Sequence, residues 1–135
     1  MLERLHTAKG YLGHFLRECG RWAKAVNKSF EDAQRTREAR GLQLLRQWLS
    51  RDQLAQLDAK EYFDVTGCDS GRRYRIRHGT GMNIYEIDKA GHERIGWCFV
   101  PDGCLVAGDV LLAQKIALET DEHGALGVAK NFVLK

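Results

Sequence analysis

Residues 63–99 contain three stretches in which apolar and polar residues alternate, and these stretches dock on one another in a single register. Alternation with a period of two places one class of side chain on each face of a strand. Arg73 to His78 alternates strictly, as does Asn83 to Asp88. With Gly79 to Met82 as the loop, Ile76 faces Tyr85, Tyr74 faces Ile87, Arg75 faces Glu86 and Arg73 faces Asp88. A one-residue slip sets apolar side chains against charges, which argues for this register. A three-residue turn with Gly91 left-handed then sets Tyr85 against Ile95, Glu86 against Arg94 and Asn83 against Trp97. The preceding strand, Tyr62 to Thr66, pairs Phe63 with Ile76, Asp64 with Arg75 and Val65 with Tyr74.

The expected sheet is therefore a four-stranded antiparallel meander over about 62–100. One face is apolar (Phe63, Val65, Tyr74, Ile76, Tyr85, Ile87, Ile95, Trp97, Phe99). The other carries the charge ladder Asp64–Arg75–Glu86–Arg94. A one-sided sheet must be covered. The cover is a helix over about 109–122, N-capped by Asp109, with Leu112, Ala113, Ile116 and Ala117 on one side and Leu111 and Leu118 on another. That two-sided pattern places it between the sheet and an N-terminal helix. Leu126, Val128, Phe132 and Val133 suggest that the C-terminus returns to the core. The fold class is α+β, with N-terminal helices.

The N-terminal half is helical and basic. Residues 1–60 carry 12 Lys/Arg against 7 Asp/Glu, whereas residues 61–135 carry 9 against 11. Leu5, Ala8, Leu12, Phe15, Cys19, Trp22 and Val26 recur at spacings of three and four, a heptad-like seam for packing within the chain or against another helix. Gly10, Gly13 and Gly20 either permit close helix packing or break the segment. Ser29, with acids after it, reads as a helix start. The almost wholly polar run from Glu31 to Arg40 reads as a solvated helix. Ser50 and Gln53 form a capping box with Leu49 and Leu54 as its hydrophobic staple, so one helix ends near Leu49 and a short one runs to about Asp58. The division expected is a basic helical extension, 1–41, and a compact domain, 42–135.

No apolar run approaches the roughly 20 residues that span a bilayer, and residues 2–16 lack a signal-peptide core. The expected setting is cytoplasmic, with no membrane, and Cys19, Cys68, Cys98 and Cys104 read as reduced thiols.

Chemistry is sparse. Cys98 and Cys104 lack a metal-site spacing, and no G-x-S-x-G elbow or phosphate-binding loop is present. No catalytic residue, metal or cofactor is assigned. Arg72 and Arg77, with Arg35, Arg37 and Arg40 on the solvated helix, are candidates for a nucleic-acid patch, although the register turns Arg73 and Arg75 toward carboxylates. His78, Asn83 and Trp97 fall at one corner of the apolar face and are candidates for a small-ligand site. The leading expectation is a non-enzymatic binding or regulatory module. It would engage a protein partner or its own copy through Leu5, Leu12, Phe15, Trp22 and Val26. Nucleic-acid binding is the alternative, followed by a ligand binder or enzyme.

Residues 42–133 also resemble an uncharacterised family of small bacterial proteins. The similarity runs through Leu49-Ser50 with Gln53, Tyr62 to Gly67, Gly71 to Gly79, Asn83, Trp97 to Pro101, and Gly108 to Glu122. The resemblance implies a bacterial or phage cytoplasmic context and a domain start near Leu42, and it implies no activity.

Overall fold

The structure, a computed structural model, describes residues 2–134, with side-chain surroundings described from residue 10 onward. It is α+β. The elements in order are α1 (Leu2–Trp48), α2 (Arg51–Lys60), β1 (Tyr62–Thr66), β2 (Arg73–Arg77), β3 (Ile84–Ile87), β4 (Glu93–Cys98), α3 (Ala107–Thr120), α4 (Glu122–Val128) and β5 (Lys130–Val133). The five strands form one antiparallel sheet in sequence order, β1-β2-β3-β4-β5. The chain divides into two compact units, residues 1–37 and 38–135, and the boundary falls inside α1. The expected break at Ser29 does not occur. Nothing in Val26 to Asp32 forbids helical backbone, so a potential cap residue is simply built into the helix interior.

The junction between α1 and α2 follows the sequence closely. Ser50 Oγ accepts from the Gln53 amide at 3.2 Å, and Gln53 Oε1 accepts from the Ser50 amide at 3.1 Å. Leu49 and Leu54 pack into the core on either side. Arg46 holds Asp58 through a two-pronged pair at 2.5 and 3.1 Å, bracing the turn. Helix α2 then screens the outer edge of β1. Gln53 Nε2 donates to the Asp64 carbonyl at 3.0 Å, and the Asp64 amide donates to Gln56 Oε1 at 2.8 Å. Two glutamines thus satisfy backbone groups that an edge strand would otherwise leave open.

The core lies between the sheet and α3. Phe63, Val65, Tyr74, Ile76 and Ile84 from the sheet meet Leu111, Leu112 and Leu118 from α3, with Leu45, Leu49 and Leu57 from the preceding helices. Helix α3 is therefore packed on two sides, as its pattern implies. Close approach requires glycine here: a Cβ on Gly108 would lie 2.2 Å from the Gly41 carbonyl carbon. The start of α3 differs from expectation. Val106 is its N-cap residue and makes no side-chain cap bond, and Asp109 lies inside the first turn. Ile116 is exposed, because the buried face rotates toward Leu111 and Leu118.

The β1–β2 register is as expected, with Phe63 opposite Ile76, Asp64 opposite Arg75 and Val65 opposite Tyr74. The β2–β3 register is not. Ile76 pairs with Ile84, Arg75 with Tyr85 and Tyr74 with Glu86, one residue from the alignment that the alternation suggests. Ile84-Tyr85-Glu86-Ile87 offers two phases, and side-chain chemistry chooses between them. The wholly aliphatic Ile84 enters the core. Tyr85 takes the opposite face, where its ring contacts Phe132 edge-on at 5.7 Å and its hydroxyl donates to the Met82 carbonyl at 3.3 Å. An irregularity between Glu86 and Ile87 then shifts the pairing with β4. The slip places Trp97 opposite Ile84 instead of Asn83, and it removes Glu86 and Arg94 from the charge ladder. Asp64 and Glu93 instead anchor the cations of this face. Arg75 and Arg73 both bond Asp64, Arg77 bonds Glu93 at 2.6 Å, and Arg94 pairs with Asp88.

The C-terminus adds what the alternation did not disclose. Helix α4 and the four-residue β5 bring the chain back alongside β4, with Phe132 opposite Gly96. Leu126 packs against the core, as expected, but Val128 and Val133 are exposed.

Glu122, the first residue of α4, closes the structure at the far end. Its side chain is almost fully buried, and it accepts four hydrogen bonds. The Asp69 and Ser70 amides donate at 2.9 and 2.8 Å, the Ser70 hydroxyl at 2.5 Å and the Tyr74 hydroxyl at 2.6 Å. A Cβ on Gly67 would lie 2.3 Å from its carboxyl carbon. Burial alone would raise the carboxyl pKa. The donors from Ser70, Tyr74 and Asp69 outweigh it and bring the group down from 4.5 to about 2. Burial, reinforced by the same contact with Glu122, pushes the Tyr74 phenol up.

Two predictions test this architecture. Arg75→Glu should cost about 2 kcal/mol, because it removes a charged hydrogen-bonded pair. Adding Asp64→Arg should recover a measurable part of that loss, and adding Glu86→Arg should recover none. Urea melts of the singles and doubles give both couplings, and a coupling between 75 and 86 above about 0.5 kcal/mol would contradict the observed register. The second concerns acid. A carboxyl whose folded pKa is depressed contributes stability that is present above its unfolded pKa and lost as pH falls toward the folded one. Glu122 should therefore account for a loss on the order of 3 kcal/mol as pH drops from 4.5 to about 2. In Glu122→Gln that segment of the pH–stability curve should flatten, on a lower plateau at neutral pH. An unchanged acid slope would show that the carboxylate is not the group responsible.

Candidate interaction surfaces

Two surfaces carry side chains that the fold itself does not use. The first lies on α1. From residue 10 to residue 33 every residue except Gly13 is exposed. Leu12, Phe15, Cys19, Trp22 and Val26 keep the three–four spacing along one side of a continuous helix. The exposures are those of side chains without a cover: 63% for Phe15, 70% for Trp22 and 71% for Phe30. Tyr11, Leu16 and Phe30 widen the stripe on both flanks. Leu5, at the start of the expected seam, lies among residues whose side chains are outside the described ones. Gly10, Gly13 and Gly20 sit roughly 120–160° round the helix from the seam at 3.6 residues per turn. Added Cβ atoms there would meet nothing within 4 Å. These glycines neither break the helix nor bring another element close.

Such a helix has little intrinsic support. Local pairs such as Arg21–Glu18 at 3.0 Å and Asn27–Glu31 at 3.0 Å contribute tenths of a kcal/mol each. An isolated helix is marginal in water, and most helical stability comes from packing an apolar face.

The second surface is the sheet face turned away from α3. Arg75 lies over the Tyr62 ring at 4.0 Å, and Arg77 sits between Tyr62 and Tyr85 at 5.8 and 5.5 Å. Asp64 and Glu93 hold the guanidinium groups in this stack. The result is a cation–aromatic layer whose charges are largely matched internally.

The nucleic-acid candidates of each unit point in different directions. Arg77 belongs to this outer face. Arg72 pairs with Glu86 at 3.6 Å, and Glu86 lies opposite Tyr74 on the other face. Arg35, Arg37 and Arg40 are exposed, but Arg35 points roughly 160° away from Arg37 round the helix.

The ligand-corner candidates have different surroundings. Asn83 is buried in a reciprocal amide pair with Gln114, at 2.9 Å in both directions. Asn83 also donates to the Arg77 carbonyl, and Gln114 to that of Phe99. All of its amide groups are thereby engaged in joining β3 to α3. His78 is exposed, and its backbone amide donates to the Glu61 carbonyl at 2.9 Å. Trp97 Nε1 is buried without a hydrogen-bond partner among the described residues. Gln114 was the residue sequence reasoning missed here, the one amide within a mostly apolar helical run from Val110 to Leu118. Among the described residues no group of three or more His, Cys, Asp or Glu side chains could hold a metal ion, and no helix is long and apolar enough to cross a membrane.

If the glycines face away from any contact, Gly13→Ala and Gly20→Ala should each raise stability of the helix by up to about 1 kcal/mol. Circular dichroism of the full chain on heating should show the gain, and a loss would mean that these backbones are closely packed. The chain matches no family model, no curated protein and no solved structure.

Proposed function

We propose that this protein is a non-catalytic interaction module in which the α+β unit is the folded body and α1 is the recognition element. The observation that carries this reading is the exposed seam of Leu12, Phe15, Cys19, Trp22 and Val26, flanked by Tyr11, Leu16 and Phe30. Large apolar patches on a soluble surface mark interaction sites. The three–four spacing specifies the shape of the partner: another helix, with knobs entering holes. The buried polar groups of the other unit support the same reading, since Glu122, Asn83 and Gln114 are fully engaged in holding elements together. Nucleic-acid binding has less support, because Arg72 and Arg77 lie on opposite sheet faces and each is paired with a carboxylate. A ligand site at His78, Asn83 and Trp97 has less support still, because Asn83 is consumed by Gln114.

The test compares the tagged full chain with its Phe15→Glu/Trp22→Glu variant in the native cell. The wild type should recover a stoichiometric helical partner, its own untagged copy included, and the variant should lose it. Far-UV circular dichroism checks that the α+β unit survives the substitutions. Identical recovery by the two chains would overturn the reading.

A further inference from the structure

We infer that the occupant of the α1 seam is a second copy of this chain, lying parallel and in register. The inference rests on the interaction reading above and names the partner. In that arrangement Leu12, Phe15, Cys19, Trp22 and Val26 each meet their own counterpart. The flanking positions of a parallel coil pair residues five apart on neighbouring helices. Tyr11 then meets Leu16, Glu18 meets Ala23, Ala25 meets Phe30 and Asp32 meets Arg37 of the second copy. Over residues 11–37 apolar meets apolar and the charged pair at 32 and 37 is of opposite sign; by sequence position the one like-charged pair of this frame is Arg4 with Lys9, at the N-terminal end of the seam. The antiparallel alignment that overlays the same span places Leu12 against Ser29 and Tyr11 beside Asp32.

The remaining charge is distributed to suit. Arg17, Arg21, Lys24 and Lys28 are all exposed and all lie on the side away from the seam at 3.6 residues per turn. A basic helix can therefore pair with itself without bringing those cations together. The width of the stripe bears on the number of copies. Tyr11, Leu16 and Phe30 occupy flanking positions, which a two-stranded coil leaves half in water. Three or four strands bury them. The large apolar residues of the seam end at Val26, since the following core positions fall on Ser29, Ala33, Thr36 and Arg40.

Light scattering on the full chain at micromolar concentration should give a mass of about three or four copies, and Trp22→Glu should reduce it to one. Mild oxidation of the wild type with diamide, followed by peptide mass spectrometry, should yield a Cys19–Cys19 linkage. Because both halves carry the same residue, that linkage can only join two copies. A monomeric wild type overturns the second-copy inference but leaves the interaction reading to the tagged-recovery experiment. An assembly without the Cys19–Cys19 linkage overturns the parallel arrangement. An assembly that survives Trp22→Glu overturns the seam.

Discussion

The buried carboxylate of Glu122 joins parts of the chain that no local interaction would bring together. Its four donors come from the β1–β2 turn and from Tyr74 on β2, about fifty residues earlier in sequence. Neighbouring contacts reinforce the junction: the Cys68 amide donates to the Leu118 carbonyl, and the His123 amide donates to Asp69. The end of α3, the start of α4 and the first hairpin are thereby fixed as one block. With α4 anchored, β5 is delivered to β4 and the sheet gains its fifth strand. A charge buried with this many donors is stabilising only while all of them are present, so this junction is also where acid acts most directly on the fold.

At the other end of the sheet, the Asn83–Gln114 pair performs a comparable task with neutral groups. It ties the start of β3 to the middle of α3, and through Asn83 to the end of β2. Reciprocal amide bonds of this kind demand one geometry, and Ile84 follows Asn83 into the core. Between these two junctions lies one apolar core of aliphatic side chains with Phe63 and Tyr74. The polar side chains of these two junctions, Glu122, Asn83 and Gln114, are thus occupied in aligning elements.

The two units meet different constraints. Among the described residues, 38–135 contain the whole buried apolar core, whereas α1 between residues 10 and 33 buries no apolar side chain. The sheet's outer face is the intermediate case, with Tyr62 and Tyr85 partly covered by arginines that Asp64 and Glu93 hold in place, and Phe132 edge-on to Tyr85. Its charges are matched, so its capacity to attract a charged partner is limited. The seam's apolar side chains have no such compensation, which makes α1 the surface with the larger unmet demand.

The sequence by itself determined the helix–sheet–helix order, the capping box at Ser50, the first hairpin register and the helical seam. Each of these depends on residues close together in the chain or on a strict repeat: Ser50 and Gln53 are three apart, and Phe63 and Ile76 are bridged by one short turn. The phase of β3 and the existence of β5 were decided by tertiary structure. Ile84 and Tyr85 are both acceptable inward residues. The choice fell to distant partners, Gln114 and Phe132, neither of which periodicity in residues 73–88 can reveal. Asn83 followed the same rule, since its corner of the sheet looks like an opening until the amide of α3 fills it. The seam was legible because heptad spacing is local; that it stays uncovered was not, because exposure is a property of everything else the chain does.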